Sequence, residues 1–344
     1  MSVNYAGVLW NRQKRIYDIV MVVLVAAFLV TFIVFNAVFH PEITAETLII
    51  RAFGSLALVM LHVILCIGPL ARLNTKFLPI LYNRRHLGVT MFLMSLVHGA
   101  FSILQFHGGG NENPLLSVFL SNTNYGSFLD FPFQTLGFVA LIILFLMAAS
   151  SHDFWLNNLS PKVWKAMHMM VYLAYGLVIA HVVLGVIQLE NNPVSFVWLM
   201  AGMIIVVSLH VTAGWKSFKQ TTAKNQLAND GFVLVSKLED IPEDRAKVIN
   251  THGESIAVFK YSGKLSAISN VCKHQNGPLG EGKIIDGCIT CPWHGYQYRP
   301  EDGCSPPPFT EKVSTYDLKI EQGQVWVNPK PYPEGTERPP VVIS

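Results

Sequence analysis

Charged side chains are scarce in this chain of 344 residues, because Asp, Glu, Lys and Arg make up only 14% of it, against roughly 25% in typical soluble domains. The net charge is +3, and no basic patch with interleaved aromatic residues is present, so a nucleic acid is not expected as a partner. No Gly-x-Gly-x-x-Gly motif follows a strand pattern, and too few residues remain for a Rossmann unit. Hydride transfer by a nucleotide-binding domain of this polypeptide is therefore not expected.

Apolar residues, in contrast, make up 51% of the chain and are concentrated before residue 220. Six apolar runs each approach or exceed the roughly 20 residues that span the hydrocarbon core of a bilayer. They are 16–39, 46–68, 86–106, 133–151, 168–189 and 194–214. The first run is too long for a cleavable signal peptide, and no small-residue cleavage site follows it. We therefore predict a membrane-embedded all-α six-helix bundle within residues 1–220, surrounded by the lipid bilayer.

Lys and Arg are unevenly divided between the two sets of loops that these helices would create. The N-terminus, one set of loops and the segment after the sixth helix are basic, and contain Arg12, Lys14, Arg15, Arg72, Lys76, Arg84, Arg85, Lys162, Lys165, Lys216, Lys219 and Lys224. The opposite set is poor in Lys and Arg. By the positive-inside rule, both termini are expected in the cytoplasm. The predicted location is the cell membrane, which is the inner membrane in a Gram-negative cell.

The sequence pattern changes after the sixth apolar run. Residues 221–230 are polar and form a predicted linker. Further on, short apolar segments alternate with turns, and Ser262-Gly263-Lys264 fits a hairpin turn. The clearest strand segments are 232–235, 255–259, 265–268 and 324–327. We predict a cytoplasmic all-β domain over 231–330 and an irregular, Pro-rich tail over 331–344.

Two Cys-plus-His pairs lie in the predicted β domain. Cys272 and His274 form Cys-Lys-His, Cys291 and His294 belong to Cys-Pro-Trp-His, and sixteen residues separate the two pairs. Thiolates suit iron–sulfur clusters, and neutral imidazoles raise the reduction potential of a cluster that they ligate. The alternative is a structural zinc site, but zinc fingers use Cys-x2–4-Cys pairs rather than Cys-x-His. The pairs therefore predict metal ligation by all four side chains.

This motif resembles the Rieske [2Fe–2S] signature, in which one iron takes two thiolates and the other takes two imidazoles. Residues 272–282 and 291–295 carry the resemblance, which extends over about 231–328 to the Rieske ferredoxins of aromatic dioxygenases and to small nitrite reductase subunits. It implies one [2Fe–2S] cluster. High-potential Rieske proteins carry one extra cysteine in each ligand loop, and Gly277 and Trp293 occupy those places here. The resemblance thus implies a low-potential centre, which suits a reducing compartment.

Four histidines lie inside the third and fifth apolar runs, namely His86, His98, His168 and His181. Ionisable residues inside a membrane segment are costly and are therefore functional candidates. The spacings of 12 and 13 residues correspond to about 18 and 20 Å along a helix. Because the two helices run in the same direction, His86 matches His168 in depth and His98 matches His181. The pairs predict two bis-histidine b haems, and the alternative is four unrelated histidines at helix contacts and helix ends.

Three further histidines are expected to have other roles. His62 and His210 have no partner at a matching depth and are predicted to be buried, hydrogen-bonded side chains. His107 lies at a loop edge and is a secondary candidate for a site on the outer side. The loop over 107–132 is predicted to be either a re-entrant or interfacial element or a flexible connector.

The membrane part resembles the ferric-reductase-like transmembrane family, which includes NADPH oxidases, ferric reductases and the haem subunit of the periplasmic methionine sulfoxide reductase system. The resemblance covers roughly 16–215, and its matching stretches are 68–72, 84–89, 96–99, 164–168 and 180–181. It implies that His98, His168 and His181 are haem ligands and that His86 matches the ligand of the two-haem branches. Ferric reductases and NADPH oxidases usually carry a cytoplasmic FAD and NADPH domain, and the predicted Rieske domain occupies that place here.

Together these features predict a membrane-bound, ferric-reductase-like oxidoreductase that transfers single electrons. The expected donor is a cytoplasmic flavoprotein reductase or ferredoxin, and the acceptor across the membrane is a ferric chelate, oxygen, quinone or a periplasmic protein. Arg84 and Arg85 are candidates to pair with haem propionates, which is compatible with positive-inside anchoring. Two alternatives stay open. One is a quinol-linked haem protein that delivers electrons through the Rieske domain to a cytoplasmic partner, and the other is a non-enzymatic redox sensor or assembly subunit.

Overall fold

The N-terminal part of the protein is helical, because inside a bilayer each backbone N–H and C=O must find its partner within the same segment. A computed structural model describes residues 12–81, 84–152, 155, 159, 161–189, 193–222, 231–274, 277–292 and 295–343. The chain divides into two compact units, one helical and one that contains the β-strands. The helices of the described residues are α1 (Arg12–Phe39), α2 (Ala45–Leu73), α3 (Leu78–Leu81), α4 (Arg84–His107), α5 (Pro114–Leu120), α6 (Phe133–Ala149), α7 (Pro161–Met169), α8 (Val171–Leu189) and α9 (Pro193–Thr222).

The prediction of six membrane-length helices is wrong in its count. Within the described residues, five segments are long and apolar enough to cross a bilayer, namely Lys14–Phe39, Ala45–Leu73, Arg84–His107, Ala166–Gly185 and Phe196–Lys216. The fourth predicted run forms α6, which has only 17 residues. At 1.5 Å per residue α6 is about 26 Å long, shorter than a hydrocarbon core of about 30 Å. Pro132 stands at its N-cap, and the side chains of Ser150 and Ser151 both donate to Met147 O at its end.

The fifth predicted run is interrupted by a turn at Met170, so that His168 lies on α7 and His181 lies on α8. Met170 N–H donates to Met167 O at 3.1 Å, which is the tighter three-residue step of a 3-10 turn. The two histidines of this run therefore belong to successive helices rather than to one straight helix.

The long loop over 107–132 contains α5. The Asn113 side chain accepts Leu115 N–H at 2.9 Å, and Pro114 occupies the first helical position, where its missing N–H leaves no backbone donor unsatisfied. Three leucines of this short helix are exposed, namely Leu115, Leu116 and Leu120. The loop thus contains an ordered helix and is not an irregular connector throughout, while its position at a membrane interface stays a prediction.

The second unit contains three antiparallel sheets. Its strands are β1 (Val233–Lys237), β2 (Arg245–Thr251), β3 (Glu254–Tyr261), β4 (Lys264–Ser269), β5 (Lys283–Ile285), β6 (Cys288–Thr290), β7 (Gln297–Tyr298), β8 (Thr315–Tyr316), β9 (Leu318–Glu321), β10 (Gln324–Val327) and β11 (Val341–Val342). The orders are β1-β10-β9, β11-β4-β3-β2 with β8 on β4, and β5-β6-β7. The four strand segments named from the sequence correspond to β1, β3, β4 and β10.

The predicted hairpin turn joins β3 to β4. Ser262 and Gly263 have φ of 46° and 68°, which are the left-handed values that a two-residue hairpin loop requires. The Pro-rich tail is more regular than predicted, because β11 pairs Val341 with Leu265 of β4. A disulfide bond between Cys288 and Cys304, for which the sequence offers no support, is not formed.

Candidate redox sites

Two loops beside the small β5-β6-β7 sheet carry the predicted cluster residues. Cys272 and His274 lie between β4 and β5, and Cys291 directly follows β6. Cys272 N–H donates to Gly277 O at 2.9 Å, and Cys291 N–H donates to Tyr296 O at 2.7 Å. Each cysteine is thereby held at the base of its own turn by a hydrogen bond across the loop.

Both thiols lie inside the domain. Cys272 and Cys291 are each 1% exposed and belong to the same apolar cluster. The hydroxyl of Tyr298, on β7, is 3.4 Å from Cys272 Sγ and accepts Lys273 N–H at 3.1 Å. This backbone hydrogen bond leaves the phenol hydrogen to point at the sulfur. Burial, and next the neighbouring Cys272 sulfur, raise the pKa of Tyr298, so the phenol remains a donor at neutral pH.

The second loop also supports His274. The His274 imidazole stacks on Tyr296, with ring centroids 4.7 Å apart and planes within 9° of parallel. The Tyr296 hydroxyl donates to the Glu311 carboxylate, and burial together with this hydrogen bond raises the pKa of Tyr296. Gly295, with φ of 76°, donates its N–H to Cys291 O at 2.9 Å. The stacking fixes the plane of the imidazole beside the two buried thiols.

The fourth predicted ligand of this centre, His294, lies outside the described residues. Among the residues that the structure does describe, no group of three or more His, Cys, Asp and Glu side chains is arranged to hold a metal ion. Two buried thiols and one stacked imidazole nevertheless fit the donor chemistry of a cluster whose irons take thiolates and imidazoles separately.

In the helical unit, His98 of α4 and His181 of α8 face each other. Their ring centroids are 6.2 Å apart and their planes are 81° from parallel. Metal–imidazole bonds are about 2 Å long, so two imidazoles on opposite sides of one metal have ring centres roughly 6 Å apart. The spacing of these two rings therefore fits the two axial ligands of one haem iron.

The protonation pattern of the two rings also fits ligation. His98 Nδ1 lies 2.9 Å from Ile50 O, and His181 Nδ1 lies 2.8 Å from Phe133 O. A carbonyl oxygen can only accept, so Nδ1 carries the hydrogen in both rings. Nε2 of each ring is left with the lone pair that a metal requires, and a hydrogen bond from Nδ1 to a carbonyl is the usual support of a metal-bound imidazole.

The other predicted pair is not brought together in the same way. His86 Nδ1 lies 2.8 Å from a carboxylate oxygen of Asp18 on α1. His168 Nδ1 lies 3.0 Å from Trp164 O, its Nε2 lies 3.3 Å from Ser151 Oγ, and its ring stacks on Trp164 with centroids 3.8 Å apart. Both rings direct Nδ1 at an acceptor, as a ligand would, but Nε2 of His168, the nitrogen that a metal would need, faces Ser151 Oγ, and His86 and His168 contact different neighbours.

The prediction that His62 and His210 are hydrogen-bonded is confirmed on both nitrogens of each ring, but the two side chains are half-buried rather than buried. His62 accepts the Tyr175 hydroxyl at 3.1 Å, and His210 accepts the Tyr172 hydroxyl at 3.2 Å. In both rings Nδ1 donates to the carbonyl four residues earlier. His107 is also engaged on both sides, by Ser117 and by Gln134, each at 2.9 Å.

Two candidate functional residues were missed from the sequence. Asp18 is an acidic residue near the start of an apolar run, and this isolation is a signal that could have identified it. Tyr298 carries no comparable signal, because its contact with Cys272 joins positions 26 residues apart. Only the folded arrangement of β7 against the first ligand loop reveals it.

Comparisons with known proteins match two parts of the chain to known families. Residues 52–179 match the family "ferric reductase like transmembrane component", and residues 231–317 match the Rieske [2Fe-2S] domain. The chain is 34% identical over 94 residues to the anthranilate 1,2-dioxygenase ferredoxin subunit of Burkholderia cepacia, which covers 26% of this chain and 85% of that protein. It is 31% identical over 99 residues to the chloroplastic protein TIC 55 of Arabidopsis thaliana, covering 26% of this chain and only 18% of that protein.

Among solved structures, the ferredoxin of carbazole 1,9a-dioxygenase from Nocardioides aromaticivorans IC177 matches 29% of this chain and 98% of its own, with 24% identity and a TM-score of 0.28. The family matches over 52–179 and 231–317 confirm, at the level of families, the resemblances inferred from the membrane histidines and from the Cys-plus-His motif. The chain joins a ferric reductase like transmembrane component to a Rieske [2Fe-2S] domain.

Proposed function

We propose that this protein carries single electrons from a cytoplasmic donor, through a Rieske [2Fe–2S] cluster and membrane b haems, to an acceptor across the membrane. When bound, the cluster and the haem iron each gain and lose one electron at a time. The observation that carries the proposal is the facing pair His98 and His181, 6.2 Å apart between α4 and α8. A pair of this geometry inside apolar helices has no simple packing explanation.

The residues of the helical site hold the ligand geometry. Ile50 O and Phe133 O each accept one Nδ1–H, which keeps both Nε2 lone pairs available and strengthens the imidazoles as bases. His98 and His181 are half-buried among apolar helices, and the bilayer proposed around them would exclude water, so that charge near the pair would be poorly screened. In the second proposed site, Asp18 supports His86, and Arg84 and Arg85 are placed in sequence to meet haem propionates.

The Rieske domain supplies the entry point in this proposal. Cys272, His274, Cys291 and His294 are its proposed ligands, and Tyr298 donates a hydrogen bond to the first sulfur. The matched relative from Burkholderia cepacia is a ferredoxin subunit, which supports a soluble redox protein, either a flavoprotein reductase or a ferredoxin, as the donor. The Lys and Arg pattern of the loops supports a cytoplasmic location for this domain.

Metal content and optical spectra of the purified full-length protein test the proposal. We expect two non-haem irons and one or two b haems per chain, with a dithionite-reduced spectrum typical of low-spin haem. His98→Ala is expected to remove one haem, and His86→Ala is expected to remove the second. Cluster iron without any haem in the wild type would refute the transmembrane route and leave a membrane-anchored ferredoxin.

A second measurement separates the proposed route from its alternatives. Stopped-flow reduction by a flavoprotein reductase should reduce the cluster before the haem. Haem reduction by a quinol before the cluster would reverse the direction of transfer. Reducible metals that no acceptor reoxidises in turnover would instead identify a sensor or assembly subunit.

A further inference from the structure

The two facing imidazoles are supported in the same way by two different helix pairs. His98 of α4 donates to Ile50 O of α2, and His181 of α8 donates to Phe133 O of α6, with an interval of 48 residues in each case. The two histidines are therefore held by the same arrangement of an imidazole on one helix and a carbonyl on another. Any other feature that the two histidines share is a candidate part of this arrangement.

A glycine lies one helical turn after each acceptor carbonyl. A Cβ atom added at Gly54 would lie 2.6 Å from His98 Nδ1 and 2.9 Å from its Cε1. A Cβ atom added at Gly137 would lie 2.7 Å from His181 Nδ1 and 2.8 Å from its Cε1. These distances are far inside van der Waals contact, so an alanine at either glycine would force the imidazole or the helix to move.

We propose that Gly54 and Gly137 are positioning residues for the axial ligands, an inference that rests on the proposed haem-binding function. Without a side chain, each glycine lets the Nδ1 edge of the imidazole approach the backbone of α2 or α6. That approach allows the Nδ1–H to reach the carbonyl one turn earlier, and the hydrogen bond then aims Nε2 at the opposite ring. The two glycines thus fix both the tautomer and the direction of the ligands.

The consequence of an alanine follows from this arrangement. The imidazole cannot keep its hydrogen bond and also avoid the new methyl group, because Nδ1 is the atom nearest to it. Loss of the hydrogen bond weakens the imidazole as a base, which favours the reduced iron over the oxidised iron. We expect about a 10- to 100-fold lower haem affinity, the usual effect of removing support for a metal ligand, and a shift of the haem potential to more positive values.

Control glycines lie on the two helices that carry the histidines and on α9. Gly88 on α4 and Gly176 on α8 have nothing within 4 Å of an added Cβ atom. Gly202 on α9 has the same close contact, 2.7 Å, with Nε2 of His62, a ring that is already hydrogen-bonded to Tyr175. Gly202→Ala therefore creates a clash of the same size against a histidine that is not a proposed ligand.

The experiment compares Gly54→Ala and Gly137→Ala with Gly88→Ala, Gly176→Ala and Gly202→Ala in the full-length protein in detergent. Haem per chain, the low-spin haem EPR signal and the haem potential are measured, with cluster iron as the internal measure of folding. We expect the first two variants to lose haem or to show altered g values and a raised potential, with cluster iron unchanged. The three controls should match the wild type.

Wild-type EPR signals and potentials in Gly54→Ala and Gly137→Ala would overturn the inference. An equal loss in Gly202→Ala would do so as well, because the effect would then come from helix packing. Should Gly54→Ala not accumulate in cells, Gly137→Ala makes the same test on the other ring. A wild-type protein that binds no haem would refute the proposed function itself, whereas a haem-loaded wild type with silent glycine variants would refute only this inference.

Discussion

Replacing Tyr298 by Phe removes one hydrogen-bond donor from the proposed cluster and leaves the aromatic ring in the core. The Tyr298 hydroxyl lies 3.4 Å from Cys272 Sγ, and its oxygen accepts a hydrogen bond from Lys273 N–H. The phenol hydrogen is therefore directed to the sulfur, where it stabilises negative charge. Reduction adds one negative charge to the centre, so this hydrogen bond is stronger in the reduced state and raises the potential.

The size of the effect follows from ordinary hydrogen-bond energies. A hydrogen bond to a charged group contributes roughly 1.5–3 kcal/mol, and we take about 1 kcal/mol of it as the part gained only on reduction. For a one-electron couple about 59 mV corresponds to a tenfold change in the equilibrium constant, or about 1.4 kcal/mol. Tyr298→Phe is therefore expected to lower the cluster potential by about 40 mV.

An EPR-monitored redox titration of the full-length protein measures this shift. Tyr296→Phe is the matched control, because its hydroxyl donates to Glu311 while its ring stacks on His274. The control should keep the wild-type potential to within a small fraction of the expected shift. An unchanged or higher potential in Tyr298→Phe, or an equal fall in Tyr296→Phe, would contradict the assignment of the hydrogen bond.

Three other outcomes are expected. First, the β domain should lose stability above pH 10. Burial and, after it, the neighbouring Glu301 raise the pKa of Tyr261 from 10.0 to about 12, although its hydrogen bond to Ser266 acts in the opposite direction. Between these two pH values the folded protein keeps a proton that the unfolded chain releases. This contribution to the free energy of unfolding is fully present below pH 10 and is lost as the pH rises towards 12. In thermal melting, the melting temperature of Tyr261→Phe should therefore fall less steeply with pH than that of the wild type. Second, Gly282→Ala should lower the free energy of unfolding by about 3 kcal/mol, the upper range of overpacking effects, because its Cβ atom would lie 2.1 Å from Thr290 O. The control is Gly323→Ala, because Gly323 has φ of 72° and open space around it. This variant should lose only the strain energy of a left-handed residue, about 1–2 kcal/mol. Equal losses of the two variants in chemical denaturation would contradict a clash between residue 282 and Thr290 O. Third, His62→Ala should retain the full haem content while His98→Ala loses one haem, because the Tyr175 hydroxyl already occupies Nε2 of His62; haem loss in His62→Ala would make that residue a ligand or its support.

Helix positions were predictable from the sequence, but helix ends were not. The run over 133–151 has the apolar composition of a membrane span, and α6 nevertheless has only 17 residues. Its limits are set by Pro132 and by Ser150 and Ser151, whose hydroxyls bond the main chain. Such local effects are small beside the hydrophobicity of the whole run, so a count of apolar residues does not detect them.

Some of the candidate site residues could likewise be predicted from the sequence, and others could not. The two Cys-plus-His pairs are visible in the sequence because ligand loops are short and their spacing is local. The contact between His98 and His181 joins residues 83 positions apart, and depth matching predicted it only because both helices run in the same direction. Ile50 and Phe133 could not be identified, since they act through main-chain carbonyls that every residue possesses.

The nature of the group that accepts each Nδ1 hydrogen bond determines how mutation can affect each site. No substitution can remove the backbone acceptors of His98 and His181, so the helices around this pair can change in sequence while the support of its ligands persists, as long as Gly54 and Gly137 are kept. His86 instead depends on the side chain of Asp18, which a single nucleotide change can remove. Among relatives of this chain, the site of His86 should therefore be gained and lost more readily than that of His98 and His181, and Asp18 should disappear together with His86.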